Sequence, residues 1–478
     1  MRKGKEMKDT RKADFGLTGL AVMGQNLVLN ISGRGFTVAV HNRTTEKTLE
    51  FVRSRCAGRT IVPSTAIREF VRSVRRPRRI MLMVKAGRPV DEAMEKMMPH
   101  LDRGDVLIDG GNSFYRDTDR RQLFAKARGI GYLGCGVSGG EFGALHGPSI
   151  MPGGDRTDYD KVKDVLLKAA AVTDDGPCCT YLGTTSAGHF VKMVHNGIEY
   201  AIMQAISEVY DIMKTGLGMP VEEIQGTFER WNSGKLESYL MEISALVTKK
   251  IDPATGRALV ELIVDSAAQK GTGKWTSQSA LDLGVPVPVI TAAVDARIIS
   301  GHRAERAKAG SLVKSRAGRI RGASRGAMVR KLENALYALD LVAYAQGMHL
   351  LGKASDEYRY GVNLAGVARI WKGGCIVRSK ILNVLKNVYR RDPEVAHPAL
   401  DLGFARLLET HVKDLRATVV AASTAGIPIL CLGSALSYFD SFVRPRGPAN
   451  MIQALRDHFG AHTFEMTDRK GVFHEDWG

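Results

Sequence analysis

From Ala13 to about Thr185, short apolar runs alternate with longer stretches whose apolar positions recur at helical spacing. "FTVAV", "RRIMLMV", "DVLIDG" and "IGYLGCGV" have the length and β-branched content of buried strands. Strands alternating with helices predict a doubly wound, mostly parallel sheet, an α/β Rossmann-type N-terminal domain. After Thr185 the strand signal fades, and segments of period 3.6 continue to about Phe439. The expected division is a disordered leader over 1–12, the α/β domain over 13–185, a large all-α domain over 186–440 and a short C-terminal tail over 441–478.

The helical part carries an internal duplication. "EIQGTFERWNSG" (223–234) lies over "NLAGVARIWKGG" (363–374) at a shift of 140 residues, superposing Gly226 on Gly366, Trp231 on Trp371 and Gly234 on Gly374. The same shift carries "GHFVKMVHNGIEYAI" (188–202) onto an apolar helix. Lys192, His195, Asn196 and Glu199 form one polar stripe at i, i+3, i+4 and i+7, and they fall opposite Leu332, Ala335, Leu336 and Leu339. Equivalent helices of a repeat turn equivalent faces to the core, so the stripe is expected to point inward. Buried charge is costly unless paired or used. A lysine and a glutamate two turns apart, with histidine and asparagine between, make a wall that can move one proton in and another out.

A length of 478 residues fits two or three domains. The net charge of +18 suits nucleic acid, a membrane surface or small anions, and does not choose among them. Its densest basic run, Gly301 to Lys331, reads as a flexible arm, with a nucleic-acid patch as the alternative. Six cysteines without a CxxC pair or metal spacing argue against a disulfide scaffold and a zinc site, and a reducing compartment is the default. The longest uncharged run, Ala417 to Phe439, is broken by Gly426 and Pro428, so two helices joined by a turn are expected there rather than a membrane span. The leader lacks the apolar stretch of a signal peptide, and a cytoplasmic location follows.

Candidate chemistry lies in the glycine-rich turns. "GLAVMG" (Gly19, Leu20, Ala21, Val22, Met23, Gly24) is a GxGxxG fingerprint with Ala21 at the second glycine, placed to set a pyrophosphate on a helix N-terminus. After the second strand, where an NAD enzyme carries an acid for the ribose hydroxyls, the chain has Asn42, Arg43 and Thr44. Arg43 can fork onto a 2′-phosphate, which favours NADP as cofactor. "VKAG", with Val84, Lys85 and Ala86, ends a later strand. "DGGNS" (109–113) and "GVSGGEFGA" (136–144) follow strand-like runs, where they either reach a substrate or are plain turns.

These motifs, with "GPSIMPGG", "QKGTGKWT", "GGCIVRS" and "QALRDHFGAHT" in the same order, resemble the 6-phosphogluconate dehydrogenase family from Ala13 to Trp477. The resemblance implies NADP-dependent oxidative decarboxylation of 6-phospho-D-gluconate to D-ribulose 5-phosphate, the pentose phosphate pathway reaction, with no metal. It implies a homodimer in which the tail reaches the partner's pocket. Lys192 then matches the general base and Glu199 the general acid. His195, Asn196, Asn112, Ser138, Gly139 and Gly140 match the groups around the reacting carbons. Tyr200, Lys270, Thr272 and Arg297 match phosphate and hydroxyl contacts, and Arg456 and His462 match the tail residues that complete the other subunit's site. Val84, Lys85, Ala86 and Asn112 join the glycine loop, Asn42, Arg43 and Thr44 at the cofactor. The family's pattern is altered at Phe142, in the basic run and in "FVRPRGPAN". A non-decarboxylating β-hydroxyacid dehydrogenase is the rival reading, and such an enzyme lacks the tail.

Overall fold

A computed structural model describes residues 12–313, 317–322 and 324–478, so the leader lies outside the described residues except for Lys12. The N-terminal half alternates as the pattern requires: β1 (Phe15–Thr18), α1 (Val22–Gly33), β2 (Val38–His41), α2 (Thr45–Arg55), β3 (Ile61–Pro63), α3 (Ile67–Ser73), β4 (Arg79–Leu82), α4 (Arg88–Met97), β5 (Val106–Asp109), α5 (Tyr115–Lys126), β6 (Gly131–Val137), α6 (Gly140–His146), β7 (Ile150–Gly154) and α7 (Arg156–Ala169). The sheet order is β3-β2-β1-β4-β5-β6-β7. The pairs from β3 to β6 are parallel, and β7 runs antiparallel to β6.

Helices cover both faces of this sheet, which is why β1, β2, β4, β5 and β6 are buried at every position and mostly apolar. Phe15, Leu17, Val38 and Val40 face a core built with Leu27, Val28 and Ile31 of α1 and Val162, Val165 and Leu166 of α7. Ala39, Ile80, Leu82 and Leu107 face the opposite core, with Phe70 and Val71 of α3 and Val90 and Met94 of α4. Gly16 and Thr18 do not weaken β1. A methyl group on Gly16 would meet Val74, Ile80 and Phe70 at 3.0 to 3.1 Å, and the Thr18 hydroxyl bonds His41 Nδ1 at 2.9 Å.

The second half is helical: α8 (Ala187–Asp211), α9 (Val221–Asn232), α10 (Tyr239–Lys249), α11 (Thr272–Asp282), α12 (Pro288–Gly301), α13 (Arg303–Leu312), α14 (Arg325–Glu357), α15 (Leu364–Ile370), α16 (Ile381–Arg391), α17 (Leu402–Thr424), α18 (Leu430–Phe442) and α19 (Ala449–Gly460). The duplication shows in the packing. α8 packs on α11 and α12 and is followed by the pair α9–α10; α14 packs on α17 and α18 and is followed by the pair α15–α16. Leu332, Ala335, Leu336 and Leu339 are all buried. The uncharged run is the end of α17, a turn and most of α18, and no helix among the described residues is long and apolar enough to cross a membrane.

One expectation needs correction. The basic run is not simply an arm: Arg303 to Leu312 form the exposed helix α13, and from Arg325 the chain is already α14, with Arg325 paired to Glu223 at 3.0 Å. The tail contains a helix of its own, α19, and ties itself together at Asp457. That carboxylate accepts bonds from the Thr463 and Glu475 amides at 2.8 and 3.1 Å, Trp477 Nε1 at 2.9 Å and His474 Nδ1 at 3.0 Å. Burial pushes the Asp457 carboxyl up, but these bonds outweigh it and hold the group well below the usual carboxylate range.

The two halves meet along a seam of glycines. A methyl group on Gly188 would lie 2.2 Å from the Met151 carbonyl oxygen and 2.3 Å from that of Gly134; one on Gly153 would lie 2.3 Å from the Gly188 nitrogen, and one on Gly136 would lie 2.4 Å from Cβ of Lys192. Only residues without a Cβ let α8 press backbone to backbone on β6 and β7.

Candidate active site

Because α8 lies against β6 and β7, its polar stripe faces the loops that leave the carboxyl ends of the strands, where ligands of open α/β sheets bind. Lys192 is 5 % exposed and His195 not at all. Lys192 Nζ donates to Asn196 Oδ1 at 2.7 Å and lies 3.2 Å from His195 Nδ1. His195 Nδ1 lies 3.1 Å from Asn196 Oδ1 and 3.8 Å from Glu199, and His195 Nε2 lies 3.2 Å from the Ser138 hydroxyl. Lys192, His195, Asn196 and Ser138 of the "GVSGG" loop therefore form one hydrogen-bonded group, with Glu199 beside it.

Burial sets its electrostatics. It pulls the Lys192 ammonium down from the ordinary lysine value, against the opposing pull of Glu199 and Cys375. It pushes the Glu199 carboxyl up, against Lys192, Arg297 and Lys270. His195 is held well below its usual range by burial and by Lys192, with Asn196 opposing, so the ring is neutral. A base that sheds its proton more readily and an acid that keeps its proton longer thus share one wall.

The floor comes from the second repeat. Gly139, with φ +98°, fits against the loop after α15, because a methyl group there would lie 2.5 Å from the Gly374 carbonyl oxygen. The Trp371 ring lies edge-on to His195 with centroids 5.5 Å apart, and the Cys375 thiol donates to the Trp371 carbonyl at 3.0 Å. Burial raises that thiol to about 12, so it stays neutral beside Lys192. Trp371 and Cys375 carry no chemical signal in the sequence beyond their place in the repeat and in "GGCIVRS".

A cationic edge lies one turn along α8. The Arg297 guanidinium stacks on the Tyr200 ring, 3.4 Å from its centroid, and Gly273 leaves room for that ring. Thr272 opens α11 behind Gly271, and Lys270 is exposed just before it. Asn112 is exposed on the loop after β5, where the Asp109 backbone carbonyl meets His189 Nε2 of α8 at 3.0 Å. Arg456 and His462 are not joined to this group within the chain. Both are exposed in the tail, and Arg456 bonds Gln453.

A second cleft, about 610 Å³, opens at the ends of β1, β2 and β4 and is lined by Gly19, Ala21, Asn42, Arg43, Thr44, Val84 and Lys85, among others. Gly19, with φ +101°, passes so close to β4 that a methyl group would lie 2.3 Å from the Met83 carbonyl oxygen; Gly24 packs equally tightly on Gly19. Ala21 serves at the second glycine position because its side chain is exposed. Leu20 is buried, and Val22 and Met23 form the first turn of α1. That helix start has no side-chain cap and no acid, so its amides are free for a pyrophosphate. Ala86 lies beside Lys85 on the loop after β4. The Asn42 side chain stitches the turn, accepting from the Leu20 amide at 3.0 Å and donating to the Thr44 carbonyl at 3.2 Å. Arg43 stands exposed on the rim with Lys47 and Lys96 nearby, two cations that the sequence did not single out. The cleft fits a phosphorylated dinucleotide.

Two family models match the chain: the NAD binding domain of 6-phosphogluconate dehydrogenase over residues 14–183 and the 6-phosphogluconate dehydrogenase C-terminal domain over residues 188–477. A "6-phosphogluconate dehydrogenase, decarboxylating" of Synechococcus elongatus is 49% identical over 465 residues, 97% of this chain and 99% of that protein. A "6-phosphogluconate dehydrogenase, NADP(+)-dependent, decarboxylating" of Bacillus subtilis is 47% identical over 98% of this chain and 99% of its own length. Among solved structures, the Plasmodium falciparum 6-phosphogluconate dehydrogenase, described apo, with its cofactor NADP+ and with its substrate 6-phosphogluconate, superposes with a TM-score of 0.93. It is 42% identical and covers 97% of this chain and 100% of its own.

Proposed function

The chain belongs to the 6-phosphogluconate dehydrogenase family and is an NADP-dependent, decarboxylating enzyme; from that premise we propose how its own residues carry the reaction. NADP, when bound, supplies the hydride acceptor. Lys192 is the general base that takes the proton from the substrate's third hydroxyl. Asn196 and Lys192, 2.7 Å apart, then hydrogen-bond the carbonyl oxygen of the β-keto acid, which draws in electron density as carbon dioxide leaves. Glu199 is the general acid that protonates the resulting enediol carbon, giving ribulose 5-phosphate. His195, held by Ser138, keeps Lys192 and Asn196 in register.

Arg297 and Lys270, beside Tyr200 and Thr272, take the substrate phosphate. Asn112, Ser138, Gly139 and Gly140 line the pocket toward the cofactor. Gly19 to Gly24 and the α1 amides hold the pyrophosphate, Arg43 the 2′-phosphate, and Asn42, Thr44, Val84, Lys85 and Ala86 border the rest. Arg456 and His462 complete the pocket of a second subunit in a homodimer. That assignment is supported by their exposure, and by Met451, Ile452, Leu455 and Phe459, which leave α19 an apolar surface uncovered within one chain. The six buried, unpaired cysteines support a reducing, cytoplasmic setting.

One observation carries the proton-transfer roles: Lys192 and Glu199 lie on one face of α8 on either side of His195, and burial moves their pKa values toward each other. Lys192→Met is expected to keep NADP affinity while kcat falls by about 10²- to 10⁴-fold. Near-normal turnover in that variant removes the assignment.

A further inference from the structure

Arg121 lies midway along α5, in the strongly polar stretch "YRDTDRRQLFAK", yet it is 1 % exposed. Its guanidinium reaches two loops at once. On one side Nε and Nη2 donate to the two oxygens of Asp91 at 2.8 and 3.1 Å, and Nη2 also donates to the Gly87 carbonyl at 3.0 Å. Gly87, with φ +86°, closes the Val84–Ala86 loop and caps α4. On the other side Nη1 donates to the Ser113 hydroxyl at 3.3 Å and lies 3.6 Å from the Asp109 carboxylate. Ser113 donates in turn to Asp109 at 2.6 Å, and Asp109 also accepts from the Gly111 amide at 3.0 Å and the Tyr132 hydroxyl at 3.0 Å. The loops touch directly, since a methyl group on Gly111 would lie 3.1 Å from the Val84 carbonyl oxygen.

We propose that Arg121 is a positioning residue that fixes the cofactor-side loop after β4 and the substrate-side loop after β5 as one unit, and so sets the distance between hydride donor and acceptor. The proposal rests on the placement of Lys85 and Asn112 given above. Three features make Arg121 more than a salt bridge. Its planar fork satisfies Asp91 with both oxygens, its remaining donors are divided between two different loops, and the Asp109 carbonyl continues the path through His189 to α8. A lysine has the charge but not the fork, so it can hold one loop and must release the other.

Arg121→Lys therefore separates charge from geometry. Its kcat is expected to fall about 10- to 100-fold, the scale of a misplaced reacting pair. Both KM values stay within about threefold. The deuterium isotope effect on substrate labelled at the oxidised carbon rises as hydride transfer becomes limiting, and the pH limits of kcat stay where they are. A merely structural role predicts less folded enzyme with an unchanged isotope effect, and that result overturns the proposal. So does a kcat within twofold of the parent, or a rise in KM for NADP alone. Should Arg121→Lys fail to fold, Ser113→Ala removes the Arg121–Ser113 link together with the Ser113–Asp109 bond and leaves the Asp91 fork intact, and the same rise in isotope effect is expected with a smaller loss of kcat; an unchanged isotope effect sinks the idea there too. Lys192→Met measured alongside tells the readings apart. An active Lys192→Met variant overturns the site assignment, whereas an inactive one beside an unperturbed Arg121→Lys overturns the positioning role alone.

Discussion

Lys192 and Glu199 need opposite protonation states from those that water gives them, a neutral amine and a protonated acid. Both shifts come first from burial, against the opposing pull of the opposite charges nearby. Lowering the pH protonates Lys192, and raising it strips Glu199, so kcat/KM passes through a bell whose limits belong to the coupled pair. Glu199→Gln is expected to lose most turnover. Its residual activity rises with pH as Lys192 deprotonates and reaches a plateau without an alkaline fall, since no acid remains to be lost. An alkaline limb persisting in that variant, measured as kcat/KM against pH, assigns the acid to another group.

At the scale of elements, the contact between α8 and β6 is as much a part of the site as the side chains. Gly136→Ala changes no charge and no hydrogen bond, but its methyl group would sit 2.4 Å from Cβ of Lys192, so the helix must shift. A loss of about 1–3 kcal/mol is expected in thermal or denaturant unfolding, the usual result of overpacking. A fall in kcat of more than about tenfold is expected in the folded fraction, because a base moved by a fraction of an ångström is a poor base. Unchanged kcat would show that the helix yields without disturbing Lys192.

Elements buried on both faces were the ones the sequence stated clearly. β4 and β5 are buried throughout, with apolar residues at all but one end position each, because helices cover them above and below, and the α8 stripe stood out because its counterpart in α14 is apolar. β3 is three residues at an exposed edge, and β7 is "IMPGG", whose glycines and proline belong to the seam rather than to strand propensity. Arg121 was hidden because "YRDTDRRQLFAK" has the composition of a solvated helix; its burial depends on Asp91 and Ser113, which other elements supply. The Trp371 and Cys375 floor was equally out of reach, since it exists only once the second repeat folds over the first.

For the whole molecule, the proposed dimer makes each site composite, and this can be tested by mixing subunits. Lys192→Met and Arg456→Ala homodimers are each expected to be strongly impaired. After denaturation together and refolding, half of the dimers pair one defect with the other, and each of these regains one intact site. Recovery of about a quarter of parental activity is the statistical expectation for a twofold-symmetric assembly. No recovery, with mixed dimers demonstrated by mass, places Arg456 in its own subunit's pocket or outside any pocket.

The glycine seam has a mechanical consequence. Met151, Gly134, Gly153 and Gly188 meet backbone to backbone, with no layer of side chains to act as a lubricant, and close-packed interfaces of this kind switch or hold rather than slide. The helical body is thus bolted to one end of the sheet, whereas β1 and β2, whose ends border the dinucleotide cleft, stand three or more strands away from β6.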